Sequence, residues 1–191
     1  MLLLEYHVWY ALDLTAERPR RELDAGLTLR RGDESDVSLL TELPTISPEQ
    51  ARTRLARGNA LWLVLEGADP RFACWIFRDQ TPVIAAPGGE MRLAAGTACL
   101  EDSVTAAAAR GRGVAPAAWT SIADGLGAEG LRELITKIEV ANLPSRRAVE
   151  KIGFRPVALM RFVRIGPRGH LRVDEIDLDR GARIAAMLGR G

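Results

Sequence analysis

Apolar segments of strand length recur along the chain and predict the strands of a sheet. Turn-forming residues separate many of them, and residues 67–70, Gly-Ala-Asp-Pro, predict a hairpin between two of the strands. The predicted strands cover residues 2–13, 27–31, 61–66, 71–78, 97–105, 132–140, 156–165 and 170–178. Residues 81–96, which are rich in proline, glycine and alanine, predict a loop.

Apolar residues at helical spacing follow capping residues elsewhere in the chain. Asp33 and Ser47 are the predicted N-caps of two successive helices, and the second of these ends at Gly58. A longer helix is predicted over residues 112–126 and another over 142–152, and a short helix is predicted at the C-terminus. Helices therefore alternate with strands in the second half of the chain.

The order of these elements indicates an α+β protein, which in layer terms is a three-layer α/β sandwich. Antiparallel hairpins come first and a βαβα unit follows, so we expect a mixed, largely antiparallel central sheet flanked by helices. One domain is expected, with a core over 27–165, an N-terminal strand or arm and linker over 1–26, and a strand and short helix over 166–191 completing the same domain. The arm contains Trp9 and is interpreted as an edge strand, with a homodimer contact as the alternative.

Composition argues against several classes of function. With 26 basic and 25 acidic residues the formal net charge is +1, so there is no basic excess for nucleic acid or an anionic membrane. No segment approaches the ~20 apolar residues of a membrane span, and the first residues lack the basic region of a signal peptide, so we expect a cytoplasmic location. The two cysteines, Cys74 and Cys99, and the two histidines, His7 and His170, lack metal-ligand spacing, so no metal site is expected.

Residues 110–115, Arg-Gly-Arg-Gly-Val-Ala, lie where a predicted strand has ended and a predicted helix begins. Glycines in such a turn leave backbone N–H groups exposed at a helix N-terminus, where the helix dipole adds partial positive charge. This arrangement favours phosphate binding, and Arg110 and Arg112 add guanidinium donors. The alternative is a glycine turn with solvated arginines.

A second motif follows after one helix and one strand. Residues 142–154, Asn-Leu-Pro-Ser-Arg-Arg-Ala-Val-Glu-Lys-Ile-Gly-Phe, predict a helix capped near Asn142 and stopped at Gly153. The Arg-x-x-Gly-x-Ala loop at 110–115 and this Asn-x-x-Ser…Glu-Lys-x-Gly-Phe segment together resemble the GCN5-related N-acetyltransferase (GNAT) superfamily. The resemblance covers about residues 27–165 and implies an acyl-CoA N-acyltransferase-like fold.

The resemblance implies acetyl-CoA as co-substrate. The strand end at Val104 and Thr105 would then offer backbone groups to the pantetheine arm, in a gap where this strand splays from its neighbour. The residues implied to hold the pyrophosphate are Arg110, Gly111, Arg112, Gly113, Val114 and Ala115. Asn142 and Ser145 are expected at the mouth of the gap, and a plain helix cap is a second role for Asn142 that is compatible with the first.

The implied reaction transfers an acetyl group to a primary amine by direct attack in a ternary complex. The expected acceptor is a small molecule, and the adjacent carboxylates of Glu101 and Asp102 favour a cationic one. Two alternatives stay open, a non-catalytic module that binds or senses acyl-CoA and a transferase of another acyl group.

Glu101 and Asp102 are the candidate catalytic carboxylates. Strand alternation places Cys99, Glu101, Ser103 and Thr105 on one face and Asp102 on the other. The Leu-Glu-Asp run at 100–102 resembles the corresponding strand of diamine acetyltransferases, where the glutamate is a proposed base that acts directly or through water. The alternatives are exposure to solvent, pairing with arginine, or simple attraction of a cationic amine.

The general acid for the leaving thiolate is not evident. Many members of the family place a tyrosine four residues before the Gly-Phe pair, and that position is Val149 here. Neither tyrosine, Tyr6 or Tyr10, is expected to lie near this segment. Ser145, Ser103 or water would then supply the proton, and because thiols have a pKa of about 8.5, the thiolate leaves readily near neutral pH.

Overall fold

Within residues 2–43 and 46–189, which the computed structural model describes, eight strands form one central sheet and two short strands form a separate hairpin. The ten strands are β1 (Leu2–Asp13), β2 (Leu27–Gly32), β3 (Ala60–Glu66), β4 (Asp69–Phe77), β5 (Gln80–Pro82), β6 (Glu90–Arg92), β7 (Thr97–Thr105), β8 (Glu133–Glu139), β9 (Arg155–Ile165) and β10 (Arg168–Glu175). The order across the large sheet is β10-β9-β1-β8-β7-β4-β3-β2. Among the described strands, every neighbouring pair is antiparallel except β7 and β8.

Helices cover both faces of the sheet. They are α1 (Pro48–Ala56), α2 (Val114–Ala128), α3 (Leu143–Glu150) and α4 (Leu178–Met187), with 3-10 helices at Glu34–Thr41, Pro87–Gly89 and Ala107–Ala109. On one face, here the α2/α3 face, apolar residues of α2 and α3 pack with Tyr10 and Leu12 of β1. On the other, the α1/α4 face, residues of the Glu34–Thr41 helix, α1 and α4 pack with Trp9 and Ala11. These three layers confirm the predicted fold class.

The N-terminal arm is not an edge strand. β1 lies inside the sheet and pairs with β8 on one side and β9 on the other, with Trp9 and Tyr10 fully buried on opposite faces. Full burial of such side chains contributes roughly 1.5–3 kcal/mol each, so β1 is part of the core. Met1, at the start of the predicted arm, and residues 190–191, at the end of the predicted C-terminal segment, lie outside the described residues.

Local sequence signals account for most of the element ends. Ser47 accepts a hydrogen bond from the Gln50 N–H, and the Gln50 side chain accepts one from the Ser47 N–H, so the predicted capping box begins α1.

The segment 81–96, predicted as a loop without strands, contains part of a hairpin, because β5 and β6 pair across a 3-10 turn. None of the helices in the described parts of the chain combines the length and apolar character that crossing a bilayer requires.

Candidate active site

The sheet splits between β7 and β8. The two strands pair at Thr97–Glu133, Ala98–Leu134 and Cys99–Ile135, and beyond these positions they diverge, although β7 continues to Thr105 and β8 to Glu139. The Thr136 hydroxyl donates to the Leu100 carbonyl over 2.8 Å at the start of the split. A cleft of about 990 Å³ opens there, and residues from both faces of the sheet line it. A volume of this size is typical of ligand sites.

One mouth of the cleft is the glycine turn before α2. Gly111 and Gly113 have φ values of +78° and +76°, which glycine adopts without strain, and Gly113 is the N-cap of α2. The N–H groups of residues 111–115 donate to no acceptor among the described residues. Unpaired N–H groups and the α2 dipole together make this turn an anion-binding surface. Arg110, Gly111, Gly113, Val114 and Ala115 line the cleft.

The two arginines of the turn have different surroundings. Arg110 is exposed at the cleft, and its Nε donates to the Thr105 carbonyl over 3.3 Å. Arg112 instead donates to Glu66 Oε1 over 3.2 Å and lies 3.9 Å from Asp24, and it is not among the cleft-lining residues. The structure therefore turns the Arg112 guanidinium away from the cleft, and only its backbone belongs to the turn.

The start of α3 forms the opposite wall of the mouth. Asn142 caps α3, and its Oδ1 accepts the Ser145 N–H over 3.2 Å. Both residues line the cleft with Pro144 and Ala148. The cap uses the amide oxygen of Asn142, so its amide nitrogen still has donors for a ligand.

A β-bulge in β7 changes which side chains share a face. Asp102 has φ +47° and is the one non-glycine residue of the described chain with a positive φ. Ala73 pairs with Val104 but Trp75 pairs with Glu101, so residues 102 and 103 together oppose Cys74. A bulge inserts one extra residue, so each side chain beyond it lies on the face opposite to the one that regular alternation predicts.

The predicted common face of Cys99, Glu101, Ser103 and Thr105 is therefore wrong. Ser103 accepts a hydrogen bond from Trp119 Nε1 of α2 over 3.2 Å, which places it on the α2/α3 face. Asp102, expected to point away from Glu101, lies with it on the α1/α4 face, where Arg54 Nη1 donates to Asp102 Oδ2 over 2.6 Å. Glu101 and Thr105 still line the same cleft, because the split connects the two faces.

Glu101 is held by three donors on one oxygen. Lys137 Nζ donates to Glu101 Oε1 over 2.6 Å, the Thr81 hydroxyl over 3.3 Å and the Cys99 thiol over 3.4 Å. Burial by itself lowers the pKa of Lys137, but attraction to Glu101, the hydrogen bond to it and the charge of Asp102 outweigh that effect, so the pKa lies above its usual value. The Lys137 side chain is therefore a cation at neutral pH and fixes Glu101 beside the split.

His7 and Glu5 of β1 are at this end of the site and were missed by sequence reasoning. His7 lines the cleft, and its register partner on β8 is Glu139. Burial and then the charge of Lys137 lower the pKa of His7, whereas burial is the main reason that the pKa of Glu5 is raised. The available signal was two polar residues on the same strand face as Trp9, but only the pairing of β1 with β8 brings His7 to the cleft, with Glu5 two positions before it on β1.

The prediction that neither tyrosine lies near the second motif is wrong for Tyr10. Its hydroxyl donates to Glu150 Oε1 over 3.0 Å and accepts from Arg146 Nε over 2.9 Å. The insertion of β1 beside β8 brings it under α3. Tyr10 is fully buried and is not among the cleft-lining residues, and Val149 is buried at the cleft wall. Neither side chain offers a proton to the cleft.

Nothing in the described residues suggests a metal centre. They contain no group of three His, Cys, Asp or Glu side chains arranged to hold a metal ion. Cys74 and Cys99 are free and buried, and burial raises the pKa of both thiols. A buried thiol of this kind packs as a small apolar side chain.

The sequence also places the chain in a known family. The sequence model of the acetyltransferase (GNAT) domain matches residues 14–155, which is most of the chain. The chain therefore belongs to the GNAT acetyltransferases, and this family uses acetyl-CoA. No curated protein sequence matches the chain significantly.

Solved structures with the same fold are distant in sequence. A GNAT-family acetyltransferase structure from Novosphingobium aromaticivorans has a TM-score of 0.61 and 19% identity, covering 91% of this chain and 66% of that one. A GCN5-related N-acetyltransferase from Kribbella flavida has a TM-score of 0.58 and 15% identity, with coverages of 90% and 63%. A Drosophila protein has a TM-score of 0.64 and 13% identity, with coverages of 87% and 52%. This chain thus spans about half to two thirds of the length of these structures.

Proposed function

We propose that this chain is an acetyl-CoA-dependent N-acetyltransferase that acetylates a primary amine by direct attack in a ternary complex. The observation that carries the proposal is the cleft itself. It begins at an amide-lined helix N-terminus, passes through a split in the sheet and ends at a group of charged side chains on the other face. A long ligand with a phosphate at one end and a reactive group at the other fits a cleft whose two ends differ in this way.

In this proposal the diphosphate lies on the turn at 110–115, with Arg110 as a further donor. The pantetheine arm follows β7 along Val104 and Thr105, where the strand has separated from β8 and its backbone groups on that side are available. Asn142 and Ser145 contact the cofactor from the start of α3. Positioning of the thioester against the amine would supply much of the rate enhancement.

The reacting end is proposed to lie where the split meets the α1/α4 face. On the side of the split, the backbone N–H groups of β7 beyond Cys99 have no partner strand and are candidate donors to the tetrahedral oxyanion. Glu101 and Asp102 act at the acceptor end, as a base through the free oxygen of Glu101 or as charges that attract the amine. Ser145 or water protonates the thiolate, since Val149 has no proton to give.

A small cationic amine is the acceptor class we favour. Three carboxylates lie where the split meets the α1/α4 face, those of Glu101, Glu139 and the nearby Glu5. The cation that β8 places beside them is Lys137. His7, with its lowered pKa, is neutral at pH 7. The balance of charge therefore attracts an ammonium group.

A non-catalytic acyl-CoA-binding module is the second candidate. Two observations favour it: Val149 stands where a proton donor is common, and Oε1 of Glu101 already accepts from three donors. Such a module would bind CoA and release no thiol with any amine.

Thiol release from acetyl-CoA separates the two candidates. The amines would be spermidine, an aminoglycoside, glucosamine and a peptide with a free N-terminus, and CoA binding would be measured by calorimetry. With an accepted amine, Glu101→Gln is expected to lower kcat more than it raises the KM for acetyl-CoA, while exposed Glu22→Gln changes neither. A raised KM with unchanged kcat would assign Glu101 to binding, and CoA binding without turnover on any amine would support the module.

A further inference from the structure

The β5–β6 hairpin is hydrogen-bonded to both members of the Glu101–Lys137 ion pair. The Thr81 hydroxyl of β5 donates to Glu101 Oε1 over 3.3 Å, and Lys137 Nζ donates to the Pro82 carbonyl over 3.2 Å. Thr81 is fully buried, and a buried hydroxyl is costly unless it has a hydrogen-bond partner. The Glu101 carboxylate supplies that partner, so the orientation of each side chain depends on the other.

The hairpin is itself fixed to the α1/α4 face of the sheet. Val83 and Met91 are buried in the apolar core of that face. Glu90 of β6 forms an ion pair with Arg57 at the end of α1, with a distance of 2.6 Å between Oε1 and Nη1. A side chain carried by an element with such anchors can hold its partner in one orientation.

The donors around Glu101 all bond to one of its two carboxylate oxygens. Oε1 accepts three hydrogen bonds, which leaves it little capacity for another. Oε2 accepts from none of the described residues, and it is not among the solvent-shielded atoms that lack a partner. The unpaired atoms Glu5 Oε2 and His7 Nδ1 on β1, in contrast, are both shielded from solvent. Glu101 Oε2 is therefore the open acceptor at this end of the cleft.

We propose that Thr81 is a positioning residue that holds Oε1 and so turns Oε2 toward the attacking amine, an inference that rests on the proposed function. The ammonium transfers one proton to Oε2, and the freed electron pair forms a C–N bond to the thioester carbonyl carbon. The C–S bond then breaks, and the sulfur leaves with its electron pair and takes the second proton lost by nitrogen. Glu101 returns its proton to solvent, so the products are the amide, CoA–SH and one released proton.

The test compares Thr81→Val and Thr81→Ser in the thiol-release assay with an accepted amine. Valine has nearly the shape of threonine but no hydroxyl, so we expect kcat to fall about 10-fold while the KM for acetyl-CoA stays within about 2-fold. Serine keeps the donor and should restore most of kcat. Thr120→Val is the control, because Thr120 is also buried and its hydroxyl donates to the Pro116 carbonyl within α2 over 2.9 Å. It should leave both constants unchanged.

A double variant separates positioning from a general loss of structure. Glu101→Gln has no carboxylate to orient, so adding Thr81→Val to it should lower kcat no further. A further loss of the size seen in Thr81→Val alone, full activity of Thr81→Val, or an unchanged kcat in Glu101→Gln overturns the inference and leaves the acetyltransferase intact. CoA binding without turnover of any amine by the wild type overturns both the inference and the proposed function.

Discussion

At the scale of single residues, the ion pair between Glu101 and Lys137 sets the charge at the end of the cleft where we propose that the reaction takes place. The two side chains are 10% and 14% exposed, so both charges are largely removed from solvent and each faces the other. Pairs of this kind often contribute little relative to apolar residues, but loss of one partner leaves an isolated charge in a poorly solvated site. The pair therefore ties the chemistry of the site to the stability of the fold.

We expect Lys137→Met to lower the free energy of unfolding by about 3 kcal/mol, because Glu101 keeps its charge without a partner. Adding Glu101→Gln should recover part of this lost stability. Arg172 forms an exposed ion pair with Asp174, so Arg172→Met should lower the free energy of unfolding by less than about 1 kcal/mol. Urea unfolding at pH 8 measures all three. Equal effects of Lys137→Met and Arg172→Met would mean that the Glu101–Lys137 pair is well solvated.

The same pair gives a pH dependence with a defined sign. The folded-state pKa of Lys137 is raised above its usual 10.5, so its stabilising contribution is complete below pH 10.5 and is lost as pH rises through the raised value. The stability difference between wild type and Lys137→Met should therefore narrow in urea titrations run above pH 10.5. A difference that stays constant there would contradict a raised pKa.

Individual side chains were also where sequence reasoning was weakest. Tyr10 and Glu150, which are 140 positions apart, form a hydrogen bond, and His7 meets Glu139 across a strand pair. Neither contact has a local signature, since spacing and periodicity report only on neighbours within one element. Both depend on where β1 enters the sheet.

At the scale of elements, the bulge in β7 places both carboxylates on the α1/α4 face. Asp102 has φ +47°, and its carboxylate accepts a hydrogen bond from Arg54. The Arg54 guanidinium lies 5.3 Å from the Trp75 ring centroid and 5.2 Å from that of Phe77. Asp tolerates the left-handed region better than most residues, but it also occurs widely in strands and loops. An aspartate at this position is therefore no specific sign of a bulge, and regular alternation of side chains between the two faces was expected.

Two substitutions separate backbone strain from the ion pair at this bulge. Asp102→Asn and Asp102→Ala both lose the charge that Arg54 binds, but asparagine tolerates positive φ and alanine does not. We expect Asp102→Ala to be less stable than Asp102→Asn by about 1 kcal/mol in urea unfolding. Equal stabilities would indicate that the backbone at this position relaxes out of the left-handed region.

The turn before α2 was predicted from its residues because its signals are local.

Gly113→Glu places a carboxylate where the phosphate would bind, and we expect it to weaken CoA binding at least about 100-fold, or roughly 2.7 kcal/mol. Gly130→Glu is the control, since Gly130 follows α2 at its other end with φ +90° and open space around it. Calorimetric titration with CoA measures both variants, and equal affinities would show that the turn is not the phosphate site.

At the scale of the whole molecule, strand and helix positions were largely predictable and the neighbours of each strand were not. Alternation and caps located every strand of the large sheet and α1, α2 and α3 to within a few residues, and they indicated a short C-terminal helix without giving its bounds. The hairpin of β5 and β6 was missed because glycine and proline mask its short strands, and β1 was misplaced because strand order depends on long-range pairing. The cleft combines local and long-range features, so the glycine turn at its mouth could be predicted from the sequence, whereas the side chains around Glu101 could be predicted only in part.

In the proposed complex, acetyl-CoA lies in the split between β7 and β8 with its diphosphate on residues 110–115. A crystal structure of the protein with acetyl-CoA tests this most directly. We expect diphosphate oxygens within hydrogen-bond distance of the N–H groups of residues 111–115, and the thioester carbonyl in the split on the side of Glu101 and His7. A cofactor bound outside the split, or one whose diphosphate contacts none of these N–H groups, would contradict it.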